Sequence, residues 1–282
     1  MRRVLLLSFL AATVIVVSAS IAAGQSAGAP LPNPHDLLER ALASEKKLDA
    51  ERERYECRVT DESAETDSKG NVKKTTLEVK EQFFVNGIAV ERTLTKNGKD
   101  LTPDETRKED QRVMKETVKY SNATTAQKET DKQNKELEEF LSAMQLANGH
   151  REPVNGRSVL AYDIVPNPRF QAKSLNQRFA QVMQGKLTID EESGEIIDAN
   201  IKSVQDLKIG GGVLANLHKG FWLHFHNQPQ ADGVWLTDLA EGSGDARAAL
   251  FFHPYFRFKE TTGGCHLYNT EALQVGQVKP VK

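Results

Sequence analysis

The chain has 282 residues, with 37 Lys and Arg against 39 Asp and Glu and a formal net charge of −2. This balance argues against a nucleic-acid partner, because phosphate binding requires a basic surface. The length is sufficient to bury a substantial core, and all-β folds of this size often form one domain.

The first 24 residues have the pattern of a cleavable secretory signal peptide. Met1-Arg2-Arg3 is a short positive region, the stretch from Val4 to Val17 is apolar, and Ala22-Ala23-Gly24 offers a small-residue cleavage site. The alternative is an uncleaved anchor, since Val4 to Ala23 is just long enough to span a bilayer. No Cys near the site offers a point for lipid attachment. We expect export across the inner membrane, a soluble periplasmic protein and no transmembrane helix after cleavage.

Residues 25–33 are small, uncharged and contain Pro, which predicts a linker. Asn33 and Pro34 then favour a helix start, with Asn as the N-cap and Pro at the first helical position. Apolar residues at helical spacing predict an amphipathic helix from Pro34 to about Arg54. We expect one domain over residues 34–270, followed by a tail over residues 271–282.

The pattern then changes to the strict alternation of half-buried strands. Three strands are predicted, at Tyr55–Thr60, Thr75–Val85 and Ile88–Thr95. Asn86-Gly87 is a strong hairpin signal, because both residues tolerate positive φ. The three strands are therefore expected to be sequential and antiparallel.

A charged helical insert is predicted at about residues 101–148. Leu101 to Glu136 is dense in Lys, Glu, Asp, Gln and Thr, and Lys119 to Lys135 is expected to be partly disordered. Beyond it, apolar residues at i, i+3, i+4 and i+7 predict a helix that packs on the sheet and ends near Asn148-Gly149. These residues are Leu137, Phe140, Leu141 and Met144.

The rest of the chain returns to short strands without crossover helices. The last long strand is expected at Ala249 to Thr261, and the whole sheet at nine to eleven strands. Short connections require antiparallel pairing, so the predicted fold class is mainly β with helices (α+β), built on a strongly curved antiparallel sheet.

The two cysteines, Cys57 and Cys265, lie at opposite ends of this predicted domain. In an oxidising compartment they could pair, and closing so long a loop stabilises a fold by on the order of 5 kcal/mol. Two separate buried thiols are the alternative, and the sequence does not decide between them.

Motifs of enzymes are scarce: the sequence has no nucleophile elbow, no H-E-x-x-H and no C-x-x-C. His224 and His226 lie two apart in a predicted strand, with His253 and His266 on later strands, so a zinc site is one interpretation. The alternation instead predicts that these imidazoles face solvent while Phe221, Leu223 and Phe225 face the core. We expect no metal, no cofactor and no catalytic residue.

Two further features have ordinary structural interpretations. Asp190, Glu191 and Glu192 lie at a predicted hairpin tip beside Ser193-Gly194, where acidic residues are common turn residues. Gly210-Gly211-Gly212 lacks the Lys-Ser/Thr of a phosphate-binding loop, so a bend between strands is favoured.

The apolar face of the predicted sheet is the remaining candidate for a site. Large aromatic residues are spread over several of its strands. A curved sheet lined in this way either packs as a closed core or keeps a cavity for an apolar ligand. The residues are Phe83, Tyr162, Phe225, Phe252, Phe256 and Phe258.

The order of elements resembles the LolA-type outer-membrane lipoprotein-sorting proteins. Short segments carry the resemblance: Gly185 to Asp190 before an acidic turn, Gly233 to Leu236, and Phe84 to Arg92. The resemblance implies an incomplete β-barrel closed by helices, with a hydrophobic cavity for lipid or for lipoprotein acyl chains. It implies no catalytic residue. The insert from Leu101 to Glu136 departs from the family pattern.

Two functions follow as hypotheses. The first is a non-catalytic carrier that buries a lipid or acyl chain against the sheet, with the helix that carries Leu137 as a lid. The second is an envelope scaffold with a filled core, which presents its charged insert to a protein partner. An enzyme is the third choice.

Overall fold

In a computed structural model of the chain, residues 30–67, 71–209, 215–248 and 255–267 are described. The first helix, α1, covers Pro34–Arg52 and ends close to the predicted Arg54. The side chain of Asn33 accepts a hydrogen bond from the His35 amide at 2.9 Å, and Pro34 fills the first position. The predicted helix start is therefore confirmed.

Four strands follow α1 and form antiparallel neighbours: β1 at Tyr55–Thr66, β2 at Val72–Val85, β3 at Ile88–Lys96 and β4 at Lys99–Asp100. The hairpin between β2 and β3 turns at Asn86 and Gly87, with φ of 48° and 80°. Both values are in the left-handed region that this dipeptide tolerates, which confirms the predicted turn.

The insert is helical from Pro103 to Ser142 except at Asn122, so the expected disorder of Lys119 to Lys135 is wrong. Helix α2 covers Pro103–Ser121, and α3 covers Ala123–Ser142. Thr102 and Glu105 form a capping box at the start of α2, and Asn122 caps α3. These caps satisfy amides that would otherwise be unpaired, which allows charged sequences to remain helical.

Helix α3 also ends earlier than predicted. It stops at Ser142, and Met144 already belongs to strand β5, where it pairs with Pro166. Met144 therefore does not share a helix with Leu137, Phe140 and Leu141. Pairing with the next strand overrides the helical spacing of the sequence.

The remaining elements are nine strands and one short helix. They are β5 Met144–Val154, β6 Arg157–Pro166, α4 Leu175–Ala180, β7 Met183–Asp190, β8 Ile196–Ser203, β9 Leu207–Ile209, β10 Ala215–Leu217, β11 Trp222–Pro229, β12 Trp235–Ala248 and β13 Tyr255–Leu267. The last strand thus begins later than the predicted Ala249. Thirteen strands are described, of which eleven form the main sheet, within the predicted nine to eleven.

Eleven of these strands form one antiparallel path in the order β4-β3-β2-β1-β13-β12-β11-β8-β7-β6-β5, while β10 joins β12 to β9. The path has two ends, β4 and β5, so the sheet is open and does not close into a barrel. The predicted class, mainly β with helices on a curved antiparallel sheet, is confirmed. None of the helices in the described part of the chain is long and apolar enough to cross a membrane.

The first and last long strands are neighbours inside the sheet. Strand β1 pairs with β13 from Tyr55 opposite Leu267 to Glu65 opposite Phe256. A disulfide joins Cys57 to Cys265 across this pair, 208 residues apart in sequence. The bond closes a very long loop of the chain, so it restrains the unfolded chain strongly.

Two groups of buried side chains hold the helices and sheet together. The larger one lies under the amino end of α1 and includes Leu37, Leu160, Met183 and Ile189, all with no measurable exposure. The smaller one surrounds Leu48 and Trp235. The predicted signal peptide and the tail over residues 271–282 lie outside the described residues, as do Gly210-Gly211-Gly212, Phe252 and His253.

Candidate functional site

Five phenylalanine rings form a continuous row, called here the aromatic row. It runs from helix α3 through α4 to strand β13. Successive ring centroids are 6.0, 5.9, 6.0 and 6.4 Å apart, distances at which aromatic pairs attract. The members in order are Phe140, Phe179, Phe221, Phe256 and Phe258.

Two glycines of β12 make room for this row. Gly242 lies opposite Phe258, and Gly244 lies opposite Phe256. A Cβ added at Gly242 would lie 2.7 Å from the Phe258 ring, and one at Gly244 would lie 2.6 Å from the Phe221 ring. The rings therefore rest directly on the backbone of β12, and larger residues there would displace them.

An open pocket of about 300 Å³ continues from the end of the row. It is called here the Phe225 pocket, and its size is at the lower end of small-ligand sites. Phe225 is 38% exposed, although β11 is an inner strand of the sheet. The lining residues are Arg52, Cys57, Gln82, Phe84, Phe225, Leu236, Thr237, Ala240, Glu260 and Thr262.

The strand register shows that the row and the pocket are adjacent. Leu223, Gly242 and Phe258 lie side by side across three strands. Two residues further along the same strands, Phe225, Ala240 and Glu260 lie side by side. Residues two apart in a strand share a face, so the apolar row leads into the pocket and reaches Glu260.

The aromatic row and the Phe225 pocket together form one track along the sheet, and the end of this track at Glu260 is charged. Lys80 donates to Asp61 at 3.0 Å and to Glu91 at 2.9 Å, while Glu260 lies directly across the ladder from Asp61. Burial disfavours the ammonium, but the two carboxylate partners outweigh it and raise the pKa of Lys80. Burial, together with the charges of Glu91 and Asp61, raises the pKa of Glu260. The track is therefore apolar along most of its length and acidic at one end.

The residues expected to line a cavity are distributed over several surroundings. Phe256, Phe258 and Phe140 belong to the aromatic row, and Phe225 lines the pocket. Tyr162 is only 4% exposed and packs in the larger core, so it is not accessible to a ligand.

Phe84, and not the predicted Phe83, lines the Phe225 pocket. Phe83 lies opposite Val90, whereas Phe84 lines the pocket, because neighbouring residues in a strand face opposite sides of the sheet. Sequence reasoning did not predict three residues of the row or the pocket: Phe84, Phe179 and Glu260. The spacing of Phe256, Phe258 and Glu260 at every second position was the available signal for Glu260.

A second groove of about 550 Å³ lies between α1 and the end of α3. Leu141 and Met144 line it, but both are at most 6% exposed, and Leu137 is half-buried nearby on α3. The groove also carries Glu39, Glu138 and several amides. The Phe225 pocket is the stronger candidate, because it is lined by an exposed aromatic side chain and lies next to Phe258 in the strand register.

The histidines are placed differently from the expectation. Instead of facing solvent freely, His224 bridges Asp198 at 2.7 Å and Glu241 at 3.1 Å, and His226 contacts Asp238 at 2.6 Å. Burial lowers the pKa of His224, but the two carboxylates outweigh it and raise the pKa above its usual value. Phe225 does not occupy the expected core position either, because it is 38% exposed and lines the pocket.

Among the described residues, His35, Asp36 and Glu39 form one exposed group that could approach a metal ion. Exposed acidic side chains of this kind are ordinarily solvated. The hairpin acids are structural: Arg157 and Ser193 hold the buried Asp190, and Arg151 holds Glu191. These hydrogen bonds outweigh burial and lower the pKa of Asp190.

No protein-family model matches the chain, and no curated protein matches its sequence. Solved structures similar to it include a domain described as an outer membrane lipoprotein-sorting protein from Vibrio parahaemolyticus, with 10% identity and a TM-score of 0.33 over 81% of this chain and 92% of that one. A LolA superfamily protein from Nitrosomonas europaea has 9% identity and a TM-score of 0.27 over 85% and 95%.

A DUF1329 family protein from Desulfovibrio piger has 7% identity and a TM-score of 0.30 over 83% of this chain and 92% of that one. At these scores no residue role is transferred from any of the three. The structures found similar to this chain thus include LolA-type proteins, the type that the sequence resembles.

Proposed function

We propose that this protein is an exported, non-catalytic envelope protein that binds the apolar chain of a lipid or lipoprotein. The apolar chain lies on the half of the sheet formed by β11 to β13 with β1 to β3, called here the open half. The observation that carries the proposal is the exposed Phe225 at the end of the aromatic row. Large apolar side chains on an inner strand are normally covered, so an uncovered one beside a pocket points to a ligand.

Burial of apolar surface supplies the affinity in this proposal. At about 25 cal/mol per Å², a chain laid along the row and pocket gains binding energy without directional polar contacts. The half-buried rings of Phe256 and Phe258 lose further exposed surface when the chain covers them. Such a site selects apolar chains by length and width and needs no catalytic group.

Export is supported by two features that are independent of the pocket. The first 24 residues have the pattern of a signal peptide. The disulfide between Cys57 and Cys265 is of a kind that persists in oxidising compartments such as the bacterial periplasm. We therefore place the mature protein in the periplasm.

Binding can be tested with the neutral fluorophore phenylnaphthylamine and with native mass spectrometry of the purified protein. The Phe225→Asp variant should lose most of the fluorescence gain, because it places a charge in the pocket. Val118→Asp is the matched control, since Val118 is 67% exposed on α2. Co-purified lipid in the wild type, retained in the control, is expected. A protein that is empty and does not bind the fluorophore contradicts the proposal.

The scaffold function remains the second candidate because α2 exposes two apolar side chains, Met114 and Val118, each at 67%. They lie four residues apart, on one face of the helix. Deleting Lys119 to Lys135 would remove most of α3, so a double Met114→Asp and Val118→Asp variant is the cleaner test. Loss of a co-purifying protein partner with unchanged fluorophore binding would favour the scaffold.

A further inference from the structure

Glu260 is the feature of the pocket that an apolar ligand does not explain. It lines the Phe225 pocket on β13, in line with Phe258 and Phe256. Its carboxylate makes no hydrogen bond or ion pair with any residue in the described ranges, and only longer-range charges act on it. A half-buried carboxylate is less well hydrated than an exposed one, so pairing with a cation stabilises it.

The cations near Glu260 are already engaged. Lys80 is held between Asp61 and Glu91. Arg52, which also lines the pocket, pairs with Glu45 at 3.0 Å. Three carboxylates therefore share one ammonium at this end of the track, which leaves a net negative charge beside the apolar lining.

We infer that the ligand of the Phe225 pocket is an amphiphile with a cationic headgroup, whose ammonium pairs with Glu260 while its chain lies along Phe225, Phe258 and Phe256. This inference rests on the proposed function and specifies its ligand class. An ammonium donates charge-assisted hydrogen bonds to a carboxylate, and the partly desolvated site strengthens them. An anionic headgroup would meet repulsion from Asp61, Glu91 and Glu260.

The geometry of the strand fits such a ligand. Phe256, Phe258 and Glu260 point to one face at every second position, and a strand rises about 3.4 Å per residue. The track from Phe256 to Glu260 is therefore about 14 Å long. Phe225 and Ala240 form its other wall at the charged end.

The test compares three decyl amphiphiles below their micelle-forming concentrations: decylammonium, decyl sulfate and the neutral decyl maltoside. Each is titrated into the full chain by displacement of phenylnaphthylamine. Decylammonium is expected to bind about tenfold more tightly than decyl sulfate, a difference of about 1.4 kcal/mol. The preference should weaken as salt is added.

Glu260→Gln should remove most of this preference while the neutral amphiphile still binds. Glu62→Gln is the matched control, because Glu62 is the exposed neighbour of Asp61 on β1 and points to the other face of the sheet. It should retain the preference. Equal binding of all three amphiphiles, or a preference that persists in Glu260→Gln, overturns the inference and leaves the proposed function intact. Binding of none of them overturns the proposed function itself.

Discussion

The half of the sheet built from β5 to β8 and the half built from β11 to β13 with β1 to β3 are packed differently. In the first, helices cover the apolar face, and Leu160, Met183 and Ile189 are fully buried. In the second, Phe225 on β11 and Phe258 and Glu260 on β13 share one face of the sheet but keep part of their surface exposed. The second half also has a core, with Val59 and Val90 fully buried, but among the described residues of the two halves it alone leaves an exposed apolar surface beside a pocket.

The largest stability effect is expected from the disulfide, which lies where β1 meets β13. Replacing both Cys57 and Cys265 by Ala should lower the free energy of unfolding by about 4 kcal/mol, since the bond closes a loop of 208 residues. Urea denaturation of both proteins measures this difference. The double variant should also show no further change on addition of a reductant. An unchanged urea midpoint would mean that the disulfide does not stabilise the fold.

Leu160→Ala in the covered half should cost about 3 kcal/mol, because it leaves a cavity in a core without solvent access. Phe225→Ala in the open half should cost about 1 kcal/mol or less, since the ring is 38% exposed. Equilibrium denaturation of the two variants compares the halves directly. Equal costs would mean that Phe225 is as tightly packed as Leu160, which contradicts the division into two halves.

Glu260→Gln should raise the melting temperature at neutral pH by about 2 °C. Because burial raises the pKa of Glu260, the folded state binds its proton more readily than the unfolded chain. The ionised carboxylate therefore destabilises the fold above that raised pKa, and the penalty disappears as the pH falls toward the unfolded value. The difference between wild type and variant should vanish near pH 4. A variant that melts below the wild type at neutral pH would show that Glu260 is well paired.

His224 provides the smallest expected effect, on the opposite side of the sheet from the pocket. Asp198 and Glu241 raise its pKa, so its contribution is fully present below pH 6.5 and is lost as the pH rises through the folded value. His224→Asn should therefore destabilise the protein more at pH 6 than at pH 8, by less than about 1 kcal/mol. A loss that is independent of pH would mean that His224 is not protonated in the fold.

Much of the fold follows from local sequence signals, whereas the site depends on strand pairing. Asn33-Pro34 and Asn86-Gly87 specify backbone conformations directly, and the structure has the helix start and the hairpin that they predict. The caps at Thr102 and Asn122 were also readable, and they would have corrected the expected disorder of the insert. Such signals act within a few residues, so no knowledge of the tertiary structure is needed.

Predicting the position of the pocket requires more than the alternation of polar and apolar residues in the strands. Phe83 and Phe84 are equally good strand residues, and only the pairing of β2 with β1 and β3 decides which one faces the Phe225 pocket. The spacing of apolar residues predicts a helix that includes Met144, but Met144 pairs with Pro166 and belongs to a strand. Gly242 and Gly244 can be read from the sequence, but the rings that rest on them are Phe258 of β13 and Phe221, just before β11.

Photo-crosslinking tests the central claim, that the open half of the sheet holds an apolar chain, most directly. The full chain is irradiated with a decylammonium analogue that carries a diazirine at the end of its chain, and the labelled peptides are identified by mass spectrometry. Labelling is predicted on the β11 and β13 peptides that contain Phe225, Phe256 and Phe258, and it should be lost in Phe225→Asp. Labelling confined to the groove at Leu141 and Met144, or unchanged in that variant, would contradict the account.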